Sequence, residues 1–188
     1  MLITLQNINK SFLDKSILKG INLTVNEKER IGLLGINGVG KTTLLNIISG
    51  ALEYDEGTLS TKPNIRIGYL KQNEALDTAN TLREEIQNTL KLAFDTRKQL
   101  EEISKKMSVA SGNEYTLLST EYERLTSIYD ACDGYNAEVR INTVLNGMGF
   151  GDFNLDGSVS VLSGGEKTRF ALAKILVENP DLLILDEP

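Results

Sequence analysis

The chain has 188 residues, 40% hydrophobic and 24% charged, the balance of a folded domain rather than a disordered chain. At this length a single domain with a substantial core is expected. A net charge of −6 argues against a protein that coats nucleic acid. No run approaches the roughly 20 apolar residues needed to span a bilayer, and the opening MLITLQNINK lacks a basic segment followed by an apolar one. A cytoplasmic location is therefore expected. The lone Cys132 permits no internal disulfide and reads as a small, half-buried hydrophobe. With no histidine in the chain, histidine-based zinc sites and Ser-His-Asp triads are excluded, and any catalytic base must be a carboxylate, lysine or tyrosine.

In chain order, Ile3 and Leu5 open a half-buried strand, and Ile21, Leu23 and Val25 repeat its period of two. Ile31-Gly-Leu-Leu34 reads as a short buried parallel strand running into glycines. Lys41 to Ser49 reads as a helix stopped by Gly50, and Ile65 to Leu70 as another strand. The middle of the chain is helical. Thr81 and Glu84 form a capping box ahead of a stripe of Leu82, Ile86, Leu90 and Phe94. Leu100, Ile103 and Met107 extend it to the break at Ser111-Gly112-Asn113. Leu118, Tyr122, Leu125 and Tyr129 then form a seam able to pack back, giving a projecting hairpin over about 95–130. A solvated charged face accounts for most of its Lys and Glu, and a binding surface is the alternative. A final helix ends at Asn179-Pro180, and Leu182 to Leu185 enters a last strand. Strands alternating with helices predict an α/β fold.

Three segments carry chemistry. Gly35-Ile-Asn37-Gly38-Val39-Gly40-Lys41-Thr42 fits G-x-x-x-x-G-K-[ST] between a strand and a helix, where glycines turn consecutive amides into one hollow. The helix start adds its positive end, Lys41 adds a charge for β- and γ-phosphates, and the Thr42 hydroxyl suits Mg²⁺. The basic residues of the first 72 positions outnumber the acidic by 9 to 6, against 8 to 13 and 3 to 7 in residues 73–150 and 151–188. Only this first stretch is net positive, which favours an anionic ligand. Asp186 and Glu187 end an apolar strand, at the edge where open parallel sheets bind ligands. They either solvate the strand end or, with a phosphate loop present, hold a metal-bound water and orient an attacking one. Ser163-Gly164-Gly165-Glu166 reads as a capping box, and its paired glycines suggest close approach to something anionic.

In this order, GINGVGKTT, Gln72 after IRIGYLKQ, LSGGEKTRFALAKIL and LLILDEP resemble the ATP-binding cassette ATPases, over essentially the whole chain. The NGVGKTTLL loop, the segment from Tyr129 to Gly149 and the long hairpin between Gln72 and Ser163 resemble the F subfamily, soluble proteins with paired cassettes that act on ribosomes in translation or antibiotic protection. The resemblance implies a phosphate-loop fold with an antiparallel β subdomain and a helical subdomain. It places residues 1–73 and 158–188 in the nucleotide-binding core and 74–157 in the helical part.

By the same resemblance, Phe12 would stack on adenine, a core position at a strand end being the open alternative. Gly35 and Asn37 to Thr43 would wrap the phosphates of ATP. Thr42, Gln72 and Asp186 would serve Mg²⁺, and Glu187 would be the catalytic carboxylate, with Gln72 beside the water. Ser163, Gly164, Gly165 and Glu166 would meet nucleotide held by a second cassette. The family continues past the DEP sequence with a switch histidine and further strands, one of which lies between the phosphate-loop strand and the Asp186 strand. A chain ending at Pro188 is thus expected to be part of a longer ATPase, with little or no turnover alone. A ribosome would be the partner of the full protein, its hairpin touching rRNA, tRNA or ribosomal protein; the alternatives are a membrane permease, or MgATP binding without turnover.

Overall fold

The computed structural model describes residues 1–13, 15–71, 76–77 and 79–186. The chain forms two compact units, residues 1–74 with 179–188, and residues 75–178.

In the first unit, β1 (Ile3–Phe12) lies between β2 (Lys15–Val25) and β3 (Glu56–Thr61), all antiparallel. Ile3, Leu5 and Ile8 are all buried, although Leu5 and Ile8 are out of step for a flat strand. A bulge absorbs the extra residue: Asn7 adopts φ 51°, and its amide donates to Asn22 Oδ1 at 2.9 Å. A parallel pair, β4 (Ile67–Leu70) and β5 (Leu182–Leu185), runs from Ile67 opposite Leu182 to Leu70 opposite Leu185. Helix α1 (Lys41–Ile48) buries Leu44, Ile47 and Ile48 in one cluster with Ile3, Leu5, Ile8, Leu18, Val25 and Ile184. Burying an aliphatic side chain of this kind is worth about 1.5–3 kcal/mol, so this cluster anchors α1 through its middle and last turn.

The expected strand Ile31–Leu34 does not form. Leu33 packs on the core, but Leu34 is 96% exposed, and no neighbouring strand pairs with the segment among the described residues. An apolar run becomes a strand only when a ladder takes up its amides and carbonyls.

In the second unit, α2 (Leu82–Thr89), α5 (Ala137–Gly147) and α6 (Gly164–Val177) enclose Leu82, Ile86, Ile141, Leu145, Phe150, Phe170, Ala173 and Val177. The expected division is therefore shifted: residues 158–178 pack with the helices, because the apolar face of α6 is complementary to α2 and α5. Glu85, buried on α2, is bonded by Lys174 of α6 and by Asn80. Burial works to raise its carboxyl pKa, but the hydrogen bonds from Lys174 and Asn80 and the Lys174 charge hold it below the ordinary value.

The hairpin consists of α3 (Lys91–Met107) and α4 (Asn113–Ala131), turning at Gly112 with φ 59°. Its seam is tight at the root, where Ala93, Leu100, Leu125 and Tyr129 are buried. It opens outward, where Tyr122 is exposed instead of packed. Cys132 is half-buried, with its thiol on the Tyr129 carbonyl.

Candidate nucleotide site

The phosphate loop takes its shape from two glycines. Gly38 has φ 80°, and Gly40, the residue just before α1, has φ 105°. Both lie in the left-handed region, and a Cβ on Gly40 would come within 2.7 Å of Ile17 Cγ2. No other residue fits there without cost. The helix carries no side-chain cap and no acidic residue in its first turn. Its first amides therefore have no side-chain cap at the positive end of the helix dipole.

Lys41 Nζ donates to the carbonyls of Gly35 (2.8 Å) and Ile36 (3.2 Å). An ammonium has three N–H groups, so this anchor holds the charge at the loop while leaving a donor for an anion. Asn37, Val39 and Thr42 are exposed, Thr43 is half-buried, and the Thr42 hydroxyl makes no hydrogen bond among the described residues.

Asp186 follows directly on β5. Its carboxylate is buried, its amide donates to the Leu70 carbonyl at 3.1 Å, and it accepts a hydrogen bond from the Tyr69 hydroxyl at 3.3 Å. Burial pushes the Tyr69 hydroxyl up to about 12, and the Asp186 charge and hydrogen bond add to the rise. Tyr69 is thus a proton donor throughout the physiological range. Sequence reasoning missed it, since 117 residues separate the two partners; the one local signal was an aromatic hydroxyl near the end of a strand.

No group of three or more His, Cys, Asp or Glu able to hold a metal occurs among the described residues. A divalent ion here would take most of its oxygens from phosphate and water, as Mg²⁺ does. The exposed Thr42 hydroxyl and the Asp186 carboxylate suit that arrangement. Gln72 and Glu187, assigned to catalysis from the sequence, lie outside the described residues.

Phe12 ends β1 and is 47% exposed, so it is not a core residue. Lys10 Nζ lies 5.6 Å from its ring centroid and pairs with Asp55 at 2.7 Å. The Lys10 hydrogen bond, with one from the Ser11 amide, holds the Asp55 carboxyl below its ordinary range.

In the second unit, the Glu166 amide donates to Ser163 Oγ, and Glu166 Oε2 accepts from the Ser163 amide at 2.7 Å, a complete capping box at the start of α6. The bond from the Ser163 hydroxyl, then that from its amide, hold the Glu166 carboxyl below its ordinary value. Gly164 and Gly165 sit in ordinary helical backbone, and a Cβ on either would meet nothing within 4 Å. Glycine costs a helix up to about 1 kcal/mol relative to alanine, and nothing within the chain requires it at these two positions.

An uncapped helix behind a glycine-cornered loop, with a parallel strand ending in a buried aspartate, is the architecture of a phosphate-loop α/β domain. More particularly, the chain belongs to the ATP-binding cassette family, whose cassettes are ATPases: the family model described as ABC transporter matches residues 18–188. Its fold is shared with the structure of an ATP-binding subunit of an ABC transporter, at a TM-score of 0.68 and 20% identity over all of this chain and 67% of that one.

The chain is 39% identical to YdiF of Bacillus subtilis over 188 residues, all of this chain and 29% of that protein. It is 37% identical over 174 residues to the energy-dependent translational throttle protein EttA of Escherichia coli, covering 93% of this chain and 31% of EttA. With ABC transporter F family member 5 of Arabidopsis thaliana it shares 34% over 189 residues, 99% of this chain and 27% of that protein. The chain spans less than a third of the length of these relatives. No helix among the described residues is long and apolar enough to cross a membrane.

Proposed function

We propose that this chain is the nucleotide-binding part of an F-subfamily cassette ATPase that binds ATP with Mg²⁺ and, in the company of a second cassette, hydrolyses it to change shape on the ribosome. The observation that carries the ATP reading is the loop at Gly38 and Gly40, whose left-handed glycines turn an uncapped, positively poled helix end outward beside the Lys41 ammonium. Gly35 and residues 37–43 would wrap the triphosphate, with Lys41 on its terminal oxygens, and Phe12 would offer its half-exposed ring to the base.

Mg²⁺, when bound, would supply charge neutralisation on the phosphates. Thr42 and Asp186 would hold it or its waters, with Gln72 completing the set. Glu187 would accept the proton of the attacking water. The capped turn Ser163–Glu166, with glycines that nothing in its own chain requires, supports presentation to nucleotide on an opposing cassette.

The ribosome reading rests on similarity to a translational throttle protein and to an F family member, together with the α3–α4 hairpin. On α3, Lys98, Lys105 and Lys106 form no ion pair among the described residues, and they are the charges suited to phosphate. The location that follows is cytoplasmic. Co-sedimentation with ribosomes, with and without ATP, tests this in the natural polypeptide carrying Glu187→Gln. ATP-dependent pelleting is expected. Retention on a membrane protein with no ribosome binding would instead identify a transporter subunit.

A further inference from the structure

We infer that Tyr69 is the positioning residue for the Asp186 carboxylate, setting its orientation toward a divalent cation; this rests on the reading of Asp186 as a metal-directed group. The register of the parallel pair provides the geometry. Tyr69 stands opposite Ile184. Asp186 lies two residues beyond Ile184, so it continues the same face just past the end of the ladder. The Tyr69 ring reaches one step diagonally along that face, and its hydroxyl donates to Asp186 Oδ2 at 3.3 Å.

The backbone at the same point is fixed independently by the bond from the Asp186 amide to the Leu70 carbonyl. Main chain and one oxygen are therefore both tied, which restricts rotation of the carboxylate. The ring is itself held: Lys71 Nζ lies 5.7 Å from its centroid, within reach of a cation–π contact. Phenylalanine would fill the same space on the strand, so packing does not account for the hydroxyl. A carboxylate serving a metal is commonly oriented by such an outer partner, and losing one typically lowers metal affinity about 10- to 100-fold.

Tyr69→Phe removes the hydroxyl and keeps the ring. The quantity to measure is the ratio of ATP dissociation constants without metal (EDTA) and with saturating Mn²⁺, for wild type, Tyr69→Phe, Asp186→Asn and the double variant, with melting temperatures alongside. Tyr69→Phe should lower the ratio about tenfold, leave metal-free ATP affinity and melting temperature at wild-type values, and add nothing to the loss in Asp186→Asn. A wild-type ratio in Tyr69→Phe overturns the inference. So does an equal loss of metal-free ATP affinity, or losses that multiply in the double variant. A wild-type ratio in Asp186→Asn removes the metal role of Asp186 and the inference with it, a failure distinguishable from the others.

Discussion

Glycines stand at the starts of α1 and α6, and the two helices begin in opposite ways. At α1 the glycines are required by the chain itself: Gly38 and Gly40 have φ of 80° and 105°, and no side chain caps the helix. At α6 the Ser163 and Glu166 amides are each bonded by the other residue's side chain, while a Cβ on Gly164 or Gly165 would stand in open space. The first end has unmet hydrogen-bonding capacity and is shaped to meet an anion. The second has a side-chain capping box, and its glycines keep a surface bare. The proposed binding end and the proposed presenting end thus differ in whether the chain itself requires the glycine.

Substitutions can break or sharpen that contrast. Lys41→Ala has the largest expected effect. It removes a charge-assisted contact worth about 1.5–3 kcal/mol, so ATP affinity measured by calorimetry should fall about tenfold to a hundredfold. Gly40→Ala comes next, because a left-handed alanine costs about 1–2 kcal/mol and its Cβ crowds Ile17. Both ATP affinity and the thermal midpoint should drop.

At the other helix, Ser163→Ala should cost about 1 kcal/mol of stability in denaturant unfolding and leave ATP affinity unchanged. Gly165→Ala should stabilise by a few tenths of a kcal/mol, up to about 1, while weakening ATP-driven association with a second cassette. Loss of ATP affinity in either α6 variant would erase the contrast.

The smallest expected effect is in acid. Glu84 and Glu166 are held below their ordinary 4.5, Glu84 chiefly by the Thr81 amide and Glu166 chiefly by the Ser163 hydroxyl. Lowered carboxyl pKa values stabilise the fold above the unfolded value, and that share is lost as pH falls through the folded value. Helical circular dichroism should therefore begin to soften near pH 4.5 and decline below it, less steeply in Ser163→Ala.

What the sequence revealed was mostly local. Both capping boxes, the glycine corners and the hairpin break at Gly112 depend on residues within a few positions of one another, and each was legible. What failed depended on distant partners. The run Ile31–Leu34 had the composition of a strand but no ladder. Polar β3, with only Leu59 half-buried, had a ladder but no apolar pattern to announce it.

Helix α6 was assigned to the nucleotide-binding core by family resemblance, yet Phe170, Ala173 and Val177 pack in the cluster of the helical unit. The stripe from Leu82 to Phe94 concealed a helix break at Leu90 (φ −111°, ψ 35°), since apolar phase can continue across a kink. The Tyr69–Asp186 contact was invisible for the same reason as the missing strand: only the parallel register brings its partners together.

The most direct test of the contrast is hydrogen–deuterium exchange at the amides of residues 38–43 and 163–166, with and without MgATP. The account predicts that exchange slows at 38–43 on adding nucleotide to this chain alone and does not change at 163–166. Unaltered exchange at 38–43 under saturating ATP, or slowing confined to 163–166, would contradict it.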